Sequence, residues 1–273
     1  MTNADAPSLP AIGFGTWPLR GQEAVRVIGS ALDNGYRLID SAVNYENEGA
    51  VGHAVRDSAT PRAEIVVTSK LPGRHHAYEQ AVATIEESVL RTGLSHLDLY
   101  LIHWPNPVTG RYVQAWQALV DTRERGLLRA IGVSNFLPEH IDRIAAETGV
   151  LPAVNQIELH PYFPQDEALA YHRERGIQVE AWSPLGRGND VTEEPVIQGI
   201  AQDHGAAPAQ VVLAWHLARG VIPLPKASSP EHQRENLAAA ELVLTESEVA
   251  SITALGRADG RIAGQDPAVY EEF

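Results

Sequence analysis

The chain has 273 residues, of which 44% are hydrophobic, so it can bury a substantial core in one large α/β domain or in two small domains. Its formal net charge of −14 argues against a nucleic acid or an anionic membrane as the main partner. It contains no cysteine, which excludes disulfides, thiolate metal sites and thiol nucleophiles.

The first ten residues are polar, include proline and lack the apolar core of a signal peptide. No stretch approaches the roughly 20 apolar residues of a membrane-spanning helix. We therefore expect a cytoplasmic protein with no membrane partner.

Short apolar runs typical of buried strands alternate with amphipathic helical stretches. Seven such runs are evident, at residues 36–40, 65–70, 97–103, 130–135, 153–158, 179–183 and 221–226. A short eighth strand is expected at 241–244. Residues 11–17, which precede all of them, look like a strand of a short hairpin. A capping box at 245–248 indicates the start of a helix.

Apolar strands joined by helical crossovers predict a parallel sheet. No linker rich in Pro, Gly or Ser divides the chain, so we expect a single domain over residues 1–273. The strand count and the length favour an α/β fold, a (β/α)8 TIM barrel with an N-terminal β-hairpin and a C-terminal tail over the barrel mouth. Residues 1–10 and 256–273 are expected to be flexible.

The chain has only two lysines, Lys70 and Lys226, although it has many arginines. Each lies at the end of a predicted strand. Lysine differs from arginine at such a place, because its ammonium is a compact donor that can perturb a neighbour's acidity or bind one phosphate. The shared position favours a chemical role over chance.

Polar side chains interrupt the apolar runs where the predicted strands end, and in a barrel these ends meet at one mouth. They are Asp40, Lys70, His103, Ser134, Asn135, Gln156, Glu158, Ser183 and Lys226, with Tyr45 following five residues after Asp40. Each one alone has a simpler structural explanation, such as a helix cap, core packing or surface exposure. An acid, a phenol, an ammonium and an imidazole at successive strand ends are together hard to explain as caps.

The combination suits the protonation of an oxygen. A phenol has a pKa of about 10, and a neighbouring ammonium favours the phenolate and lowers this pKa. A carboxylate offsets the charge of a buried ammonium, and an imidazole can steer a carbonyl oxygen. Reduction of a carbonyl by hydride needs such a set, because negative charge develops on the oxygen.

Several ordered segments resemble the aldo-keto reductase superfamily, from Gly13 to about Leu244. They are residues 39–45, 68–70, 99–105, 131–136, 153–156, 181–186 and 225–226. The short connection between Trp104 and Trp116, and Trp182 after the sixth strand, look most like the small microbial members, such as 2,5-diketo-D-gluconate reductases.

By this resemblance the chain is an NADP(H)-dependent oxidoreductase that reduces aldehydes or ketones to alcohols. Tyr45 is then the general acid and Lys70 tunes it. Asp40 pairs with Lys70, and His103 orients the substrate carbonyl. The family's steroid double-bond reductases carry Glu at the position of His103, so histidine here points to carbonyl reduction. The resemblance implies a substrate pocket lined by Trp17, Tyr45, His103 and Trp104.

The resemblance also implies how NADPH is bound. Ser134, Asn135 and Gln156 would hold the nicotinamide carboxamide, which needs both a donor and an acceptor. Trp182 would stack on the nicotinamide ring. The other implied cofactor-binding residues are Thr16, Trp17, Asp40, Ser183, Leu185, Gly186, Lys226, Ser228, Ser229, His232, Glu235 and Asn236.

Two departures from the family pattern concern the 2′-phosphate of NADPH. Lys226 and Ser229 match positions that contact it, and a helix beginning at Pro230 would add its N-terminus. Ala227 stands where Ser is usual, and His232 stands where Arg is usual. Arginine carries a permanently charged guanidinium that can bind phosphate through two hydrogen bonds, so its loss weakens phosphate recognition. We therefore expect NADPH use with less discrimination against NADH.

Two alternatives stay open from the sequence. One is a non-catalytic cofactor-binding protein with a regulatory or structural role, since a fold does not decide function. The other is an unrelated barrel hydrolase or lyase using Asp40 and Glu158, which would not explain Lys226. No metal site is expected, because His75 and His76 have no further ligand placed with them. We expect a monomer that acts on a small-molecule carbonyl compound.

Overall fold

The structure is a computed structural model that describes residues 8–273. Parallel strands form one sheet in chain order. The strands are β1 (Phe14–Gly15), β2 (Leu38–Asp40), β3 (Val66–Leu71), β4 (Leu97–Ile102), β5 (Leu128–Ser134), β6 (Val154–Glu158), β7 (Gln178–Trp182) and β8 (Val221–Pro223). Residues 1–10 are expected to be flexible, and residues 1–7 of this segment lie outside the described residues.

Backbone hydrogen bonds close the sheet into a barrel. The Gly13 N–H donates to the Pro223 carbonyl at 3.0 Å, and the Gly15 N–H donates to the Pro225 carbonyl at 3.1 Å. The last strand therefore meets the first, and the predicted (β/α)8 barrel is confirmed.

Helices follow the strands and cover the outside of the barrel. They are α1 (Gly21–Asp33), α2 (Glu48–Asp57), α3 (Tyr78–Thr92), α4 (Tyr112–Glu124), α5 (Pro138–Thr148), α6 (Asp166–Arg175), α7 (Pro195–His204), α8 (Pro208–Ala218), α9 (Pro230–Ala238) and α10 (Glu246–Thr253). The predicted capping box begins α10, where the Thr245 hydroxyl oxygen accepts from the Glu248 N–H at 3.2 Å. Within residues 8–273, no helix is long and apolar enough to cross a membrane.

Strand β1 corrects the predicted N-terminal hairpin. Phe14 pairs with Ile39 and Gly15 with Asp40 in parallel register, so this segment is the first strand of the barrel. Glycine on both sides of Phe14 weakens the strand signal in the sequence. In the barrel the small residue is required, because a Cβ on Gly15 would lie 2.9 Å from the Leu224 carbonyl oxygen.

The prediction of a strand at 241–244 is also wrong. A 3-10 turn over Ala239–Glu241 leads into irregular chain that continues to the N-cap of α10. Because β1 already completes the barrel beside β8, this segment is left to connect two helices outside the sheet.

The apolar core has an inner and an outer layer, because successive side chains of a strand point to opposite faces. On β4, Leu99 and Leu101 pack with Ala130 of β5 in a small inner cluster. Tyr100 and Ile102 belong to the larger cluster under the helices. Toward the carboxyl ends of the strands, buried polar side chains replace the inner apolar ones, and this places the site at that end.

Candidate active site

A cavity of about 560 Å³ opens at the carboxyl ends of the strands. The predicted site residues that line it are Trp17, Asp40, Tyr45, His103, Trp104, Ser134, Asn135, Gln156, Trp182, Ser183, Leu185 and Lys226. The lining also includes residues that the sequence analysis missed, chiefly Asn44, Arg187, Gln265, Tyr270 and Glu272. One mouth therefore gathers side chains from strand ends across the barrel and from the C-terminal tail.

A buried ion pair lies at the base of this cavity. Lys70 Nζ is 2.7 Å from each carboxylate oxygen of Asp40 and 2.8 Å from the Ser41 carbonyl oxygen. The pair forms because β2 and β3 are parallel neighbours whose ends lie side by side. Burial acts to lower the pKa of Lys70, but the Asp40 carboxylate together with the charges of Tyr45 and Glu180 outweighs burial and leaves this pKa above its ordinary value. The ammonium is therefore charged at neutral pH.

Tyr45 lies against this pair, on a 3-10 turn that follows β2. Its ring centre is 5.0 Å from Lys70 Nζ and 5.9 Å from the His103 ring centre. Burial raises the pKa of the Tyr45 hydroxyl above its ordinary value, while the Lys70 ammonium acts to lower it and the Asp40 carboxylate to raise it. The net direction is opposite to the one expected from the sequence, because burial outweighs the ammonium. The phenol keeps its proton near neutrality and can donate it.

The C-terminal tail completes the wall around His103. Glu272 Oε1 lies 2.7 Å from His103 Nδ1, and the Tyr270 ring packs against Trp104 with 4.5 Å between ring centres. Neither tail residue is among the predicted site residues, because the tail has no periodic pattern that links it to a strand. Only its acidic and aromatic residues hinted at a role beyond a chain end.

The predicted carboxamide-binding residues form one hydrogen-bonded group. Asn135 Nδ2 donates to the His103 carbonyl and to Ser134 Oγ, each at 3.0 Å. Asn135 Oδ1 accepts from Trp182 Nε1 at 2.8 Å. Asn135 and Ser183 both have left-handed backbone conformations, with φ of 61° and 49°. Such conformations cost energy in residues other than glycine, and strain of this kind clusters at functional sites.

Gln156 links the base of the cavity to a second buried acid. Its side-chain amide donates to Asp40 Oδ1 at 2.9 Å and to Glu180 Oε2 at 2.8 Å. Both amide protons are then used, so the oxygen of Gln156 is left as an acceptor for a ligand. Burial, with a smaller contribution from the Asp40 charge, raises the pKa of Glu180 to about 7. Glu180 lies inside an apolar strand and is not among the predicted site residues.

The segment that begins at Lys226 leads away from the catalytic end of the cavity. Lys226 is exposed and donates to Ser228 Oγ at 2.7 Å. Ser229 is the N-cap of α9, where its hydroxyl oxygen accepts from the His232 N–H at 3.2 Å. Arg234 lies on the same helix but donates to Asn34 at 3.3 Å, so it is directed toward α1.

The other predicted cofactor residues do not line the cavity. They are Thr16, Gly186, Ser228, Ser229, His232, Glu235 and Asn236. Thr16 is buried and its hydroxyl donates to the Asp40 carbonyl at 2.8 Å, which supports the end of β2. Asn236 is buried in α9, and Glu235 is exposed beside it. Lys70 is likewise behind the cavity wall and acts on it through Asp40 and Tyr45.

Arg187 and Trp17 meet at the cavity mouth, where the guanidinium carbon lies 4.2 Å from the centre of the indole ring. Arg187 is not among the predicted site residues, although it follows the predicted residues Leu185 and Gly186 directly. A cation over an aromatic face is attractive, so this contact joins the loop after β7 to the segment after β1.

Glu158, which the hydrolase alternative requires, does not line the cavity. Its Oε1 is 3.0 Å from His160 Nε2 and accepts the Ile262 N–H at 2.6 Å. This carboxylate is therefore engaged in holding the start of the tail. Within the part of the chain that the structure describes, no group of His, Cys, Asp and Glu is arranged to hold a metal ion.

The sequence matches the family model for the aldo/keto reductase family over residues 11–257. A 2,5-diketo-D-gluconic acid reductase B from Corynebacterium sp. (strain SHS752001) is 49% identical over 261 residues, which cover 96% of this chain and 94% of that protein. Methylglyoxal reductase DkgA from Yersinia pestis is 41% identical over 268 residues, covering 97% of this chain and 95% of that protein.

The fold agrees with the sequence match. A solved structure of a Gox0644 mutant in complex with NADPH superposes with a TM-score of 0.91 at 41% identity, covering 96% of this chain and 94% of that chain. The family model spans most of the sequence, and the relatives align over nearly their full lengths. The chain therefore belongs to the aldo/keto reductase family.

Proposed function

We propose that the chain is an NADP(H)-dependent reductase that converts aldehydes or ketones to alcohols. The observation that carries the proposal is the buried Asp40–Lys70 pair, placed against Tyr45 and beside His103 at one end of a cavity that extends to Lys226. The complete set of four side chains favours catalysis over a non-catalytic cofactor-binding role.

The residues around the cavity fit such a cofactor. The oxygen of Gln156 is available to a carboxamide N–H, and Lys226 offers an ammonium at the far end. When bound, the reduced nicotinamide supplies the hydride that adds to the carbonyl carbon. A related chain of known structure, the Gox0644 mutant, is described as a complex with NADPH.

Each of the four side chains then has one task. Tyr45 gives its proton to the carbonyl oxygen as negative charge develops there. The Lys70 ammonium stabilises the phenolate that remains, and Asp40 holds this ammonium in place. His103 orients the carbonyl oxygen toward Tyr45. The reverse oxidation of an alcohol runs through the same groups.

The walls of the cavity support a proposal for the substrate class. Trp17, Trp104 and Tyr270 provide aromatic surface, which admits small carbonyl compounds of different shapes. The relatives are named for a diketo sugar acid and for methylglyoxal, which share small size and a reactive carbonyl. We assign small aldehydes and α-dicarbonyl compounds as the substrate class. The cytoplasmic location and the monomeric state stay predictions from the sequence.

The test is loss of NADPH absorbance with a panel of small aldehydes, ketones and diketones, repeated with NADH. We expect turnover of several compounds with NADPH and weaker but measurable turnover with NADH. Tight NADPH binding without turnover of any compound would support the non-catalytic alternative. A large preference for NADH would contradict the cofactor assignment.

A further inference from the structure

Glu272, the second-last residue, is buried although most of the tail around it is exposed or only partly covered. Its Oε1 lies 2.7 Å from His103 Nδ1 and accepts from Asn44 Nδ2 at 2.8 Å. Its Oε2 accepts the Gly73 N–H at 3.1 Å. Both carboxylate oxygens are therefore engaged, Oε1 by two residues of the cavity wall and Oε2 by the backbone of Gly73.

The backbone of Glu272 is held as firmly as its side chain. Asn106 Nδ2 donates to the Glu272 carbonyl at 2.7 Å, and the Glu272 N–H donates to Asn106 Oδ1 at 3.1 Å. Gly73 faces the same carbonyl, and a Cβ there would lie 2.4 Å from its oxygen. Three separate segments thus fix this residue, which makes the contact with His103 part of a built arrangement.

The carboxylate that faces His103 is charged. Burial alone would raise the pKa of Glu272, but the charge and hydrogen bonding of His103, with the Gly73 N–H and Asn44, outweigh burial and hold this pKa below its ordinary value. Nδ1 of His103 lies 2.7 Å from Oε1, which makes this the short contact between the tail and the imidazole ring.

The Glu272 carboxylate lies against Nδ1 and so fixes which ring nitrogen faces the tail. Because Nδ1 faces Glu272, Nε2 is the ring nitrogen left to meet a carbonyl oxygen in the cavity. We propose that Glu272 is a positioning residue of the reductase, which holds the His103 ring with Nδ1 toward the tail and Nε2 toward the substrate. The inference rests on the proposed function, since it gives the tail a role in orienting a catalytic side chain of the same site.

Other titratable groups surround this contact. Tyr45 packs its ring edge against His103, and Asp40 and Lys70 lie behind Tyr45. His76, near Glu272, has its pKa lowered to about 4 by burial, so it is neutral at the pH of an assay. Among these groups Glu272 is the anion in direct contact with His103 Nδ1.

The neighbouring residue offers a matched control. Glu271 lies on the same tail and accepts from the Val108 N–H at 2.8 Å, with a further contact to the Thr109 hydroxyl. It holds the tail to the loop after β4 without touching His103. Glu271→Gln therefore loosens the tail in a comparable way, whereas Glu272→Gln also removes the charge from the imidazole.

The kinetic test compares the two variants at one pH. We expect Glu272→Gln to lower kcat/KM roughly tenfold, mainly through kcat, with NADPH affinity unchanged, because the imidazole is no longer held in place. Glu271→Gln is expected to change kcat/KM less than about twofold, since it does not touch the imidazole. Equal losses in both variants, or full activity in Glu272→Gln, would overturn the inference.

A second measurement bears on the wild-type protein itself. Nitrogen NMR of its histidine rings, with the His103 signals assigned by comparison with His103→Gln, reports whether Nδ1 carries a proton. We expect Nδ1 to carry one at the pH of the kinetic assay, because it faces the Glu272 carboxylate. An unprotonated Nδ1 would overturn the inference even if Glu272→Gln failed to fold. Absence of NADPH turnover by the wild type would count against the proposed function and not against this contact.

Discussion

Lys70 has no exposure to solvent, and its ammonium contacts both oxygens of Asp40 at 2.7 Å. A charge in such a place persists only when it is paired, because burying an unpaired ion is costly. The same ammonium lies 5.0 Å from the centre of the Tyr45 ring. At the scale of single residues, one ion pair therefore serves both the stability of the barrel and the acidity of the phenol.

Replacing the phenol tests its role most directly. We expect Tyr45→Phe to bind NADPH nearly as tightly as the wild type and to lose roughly 10²–10⁴-fold in kcat, the range of a general acid. The measurement combines a fluorescence titration with NADPH and steady-state rates of NADPH oxidation. Wild-type rates in this variant would refute the assignment of Tyr45 as the acid.

The two lysines provide a paired experiment. Lys70→Met is expected to reduce kcat about as much as Tyr45→Phe and to destabilise the fold by about 3–5 kcal/mol, since Asp40 stays buried without its partner. Lys226 is exposed, so Lys226→Met is expected to raise KM for NADPH with little change in kcat or in stability. Rates and urea unfolding of both variants check this. A similar effect of both substitutions on kcat would contradict it.

At the scale of elements, we propose that helix α9 forms the far end of the cofactor site, beyond Lys226. Pro230 and the N-cap Ser229 set its first turn, and Lys226 precedes it. His232 is exposed on this turn in place of the arginine that the family pattern carries. Arg234 does not substitute for that arginine, because it is directed toward Asn34 on the α1 side.

Restoring the guanidinium is expected to sharpen cofactor choice. A charge-assisted hydrogen bond contributes about 1.5–3 kcal/mol, so His232→Arg should raise the ratio of kcat/KM for NADPH over NADH by roughly tenfold or more. Arg234→Gln is the control on the same helix and should leave this ratio nearly unchanged. An unaltered ratio in His232→Arg would place the 2′-phosphate elsewhere.

At the scale of the whole molecule, the barrel encloses a carboxyl group that lacks a full set of hydrogen-bond partners. Glu180 is buried on β7, and its Oε1 has no hydrogen-bond partner among the described residues. In the folded protein it keeps its proton up to about pH 7, whereas its ordinary pKa is 4.5. The folded state therefore binds more protons between these values, so this group's contribution to stability is lost as pH rises through them.

Removing this titration should flatten the stability profile. We expect Glu180→Gln to raise the free energy of unfolding at pH 8 by up to about 3 kcal/mol relative to the wild type, and to have little effect below pH 4.5. Urea unfolding of both proteins at several pH values checks this, with the exposed Glu241→Gln as control. A gain that is the same at every pH would contradict the assignment to Glu180.

The local sequence determined the alternation of strands and helices, because continuous apolar runs and helix caps act over a few residues. It also placed Asp40, Lys70, His103 and Gln156 at strand ends, where a barrel must bring them together. The resemblance to a family supplied their expected roles. The structure brings Asp40, His103 and Gln156 to the wall of one cavity.

Only the tertiary structure decided the rest. Strand β1 is two residues long and depends on its neighbours for its conformation. Glu272 meets His103 across 169 positions of sequence, and Glu180 meets Gln156 between two different strands. The net pKa direction of Tyr45 likewise depends on burial, which no local pattern expresses. Contacts of this kind form when the barrel closes and buries side chains from distant segments, so they leave no periodic signal in the sequence.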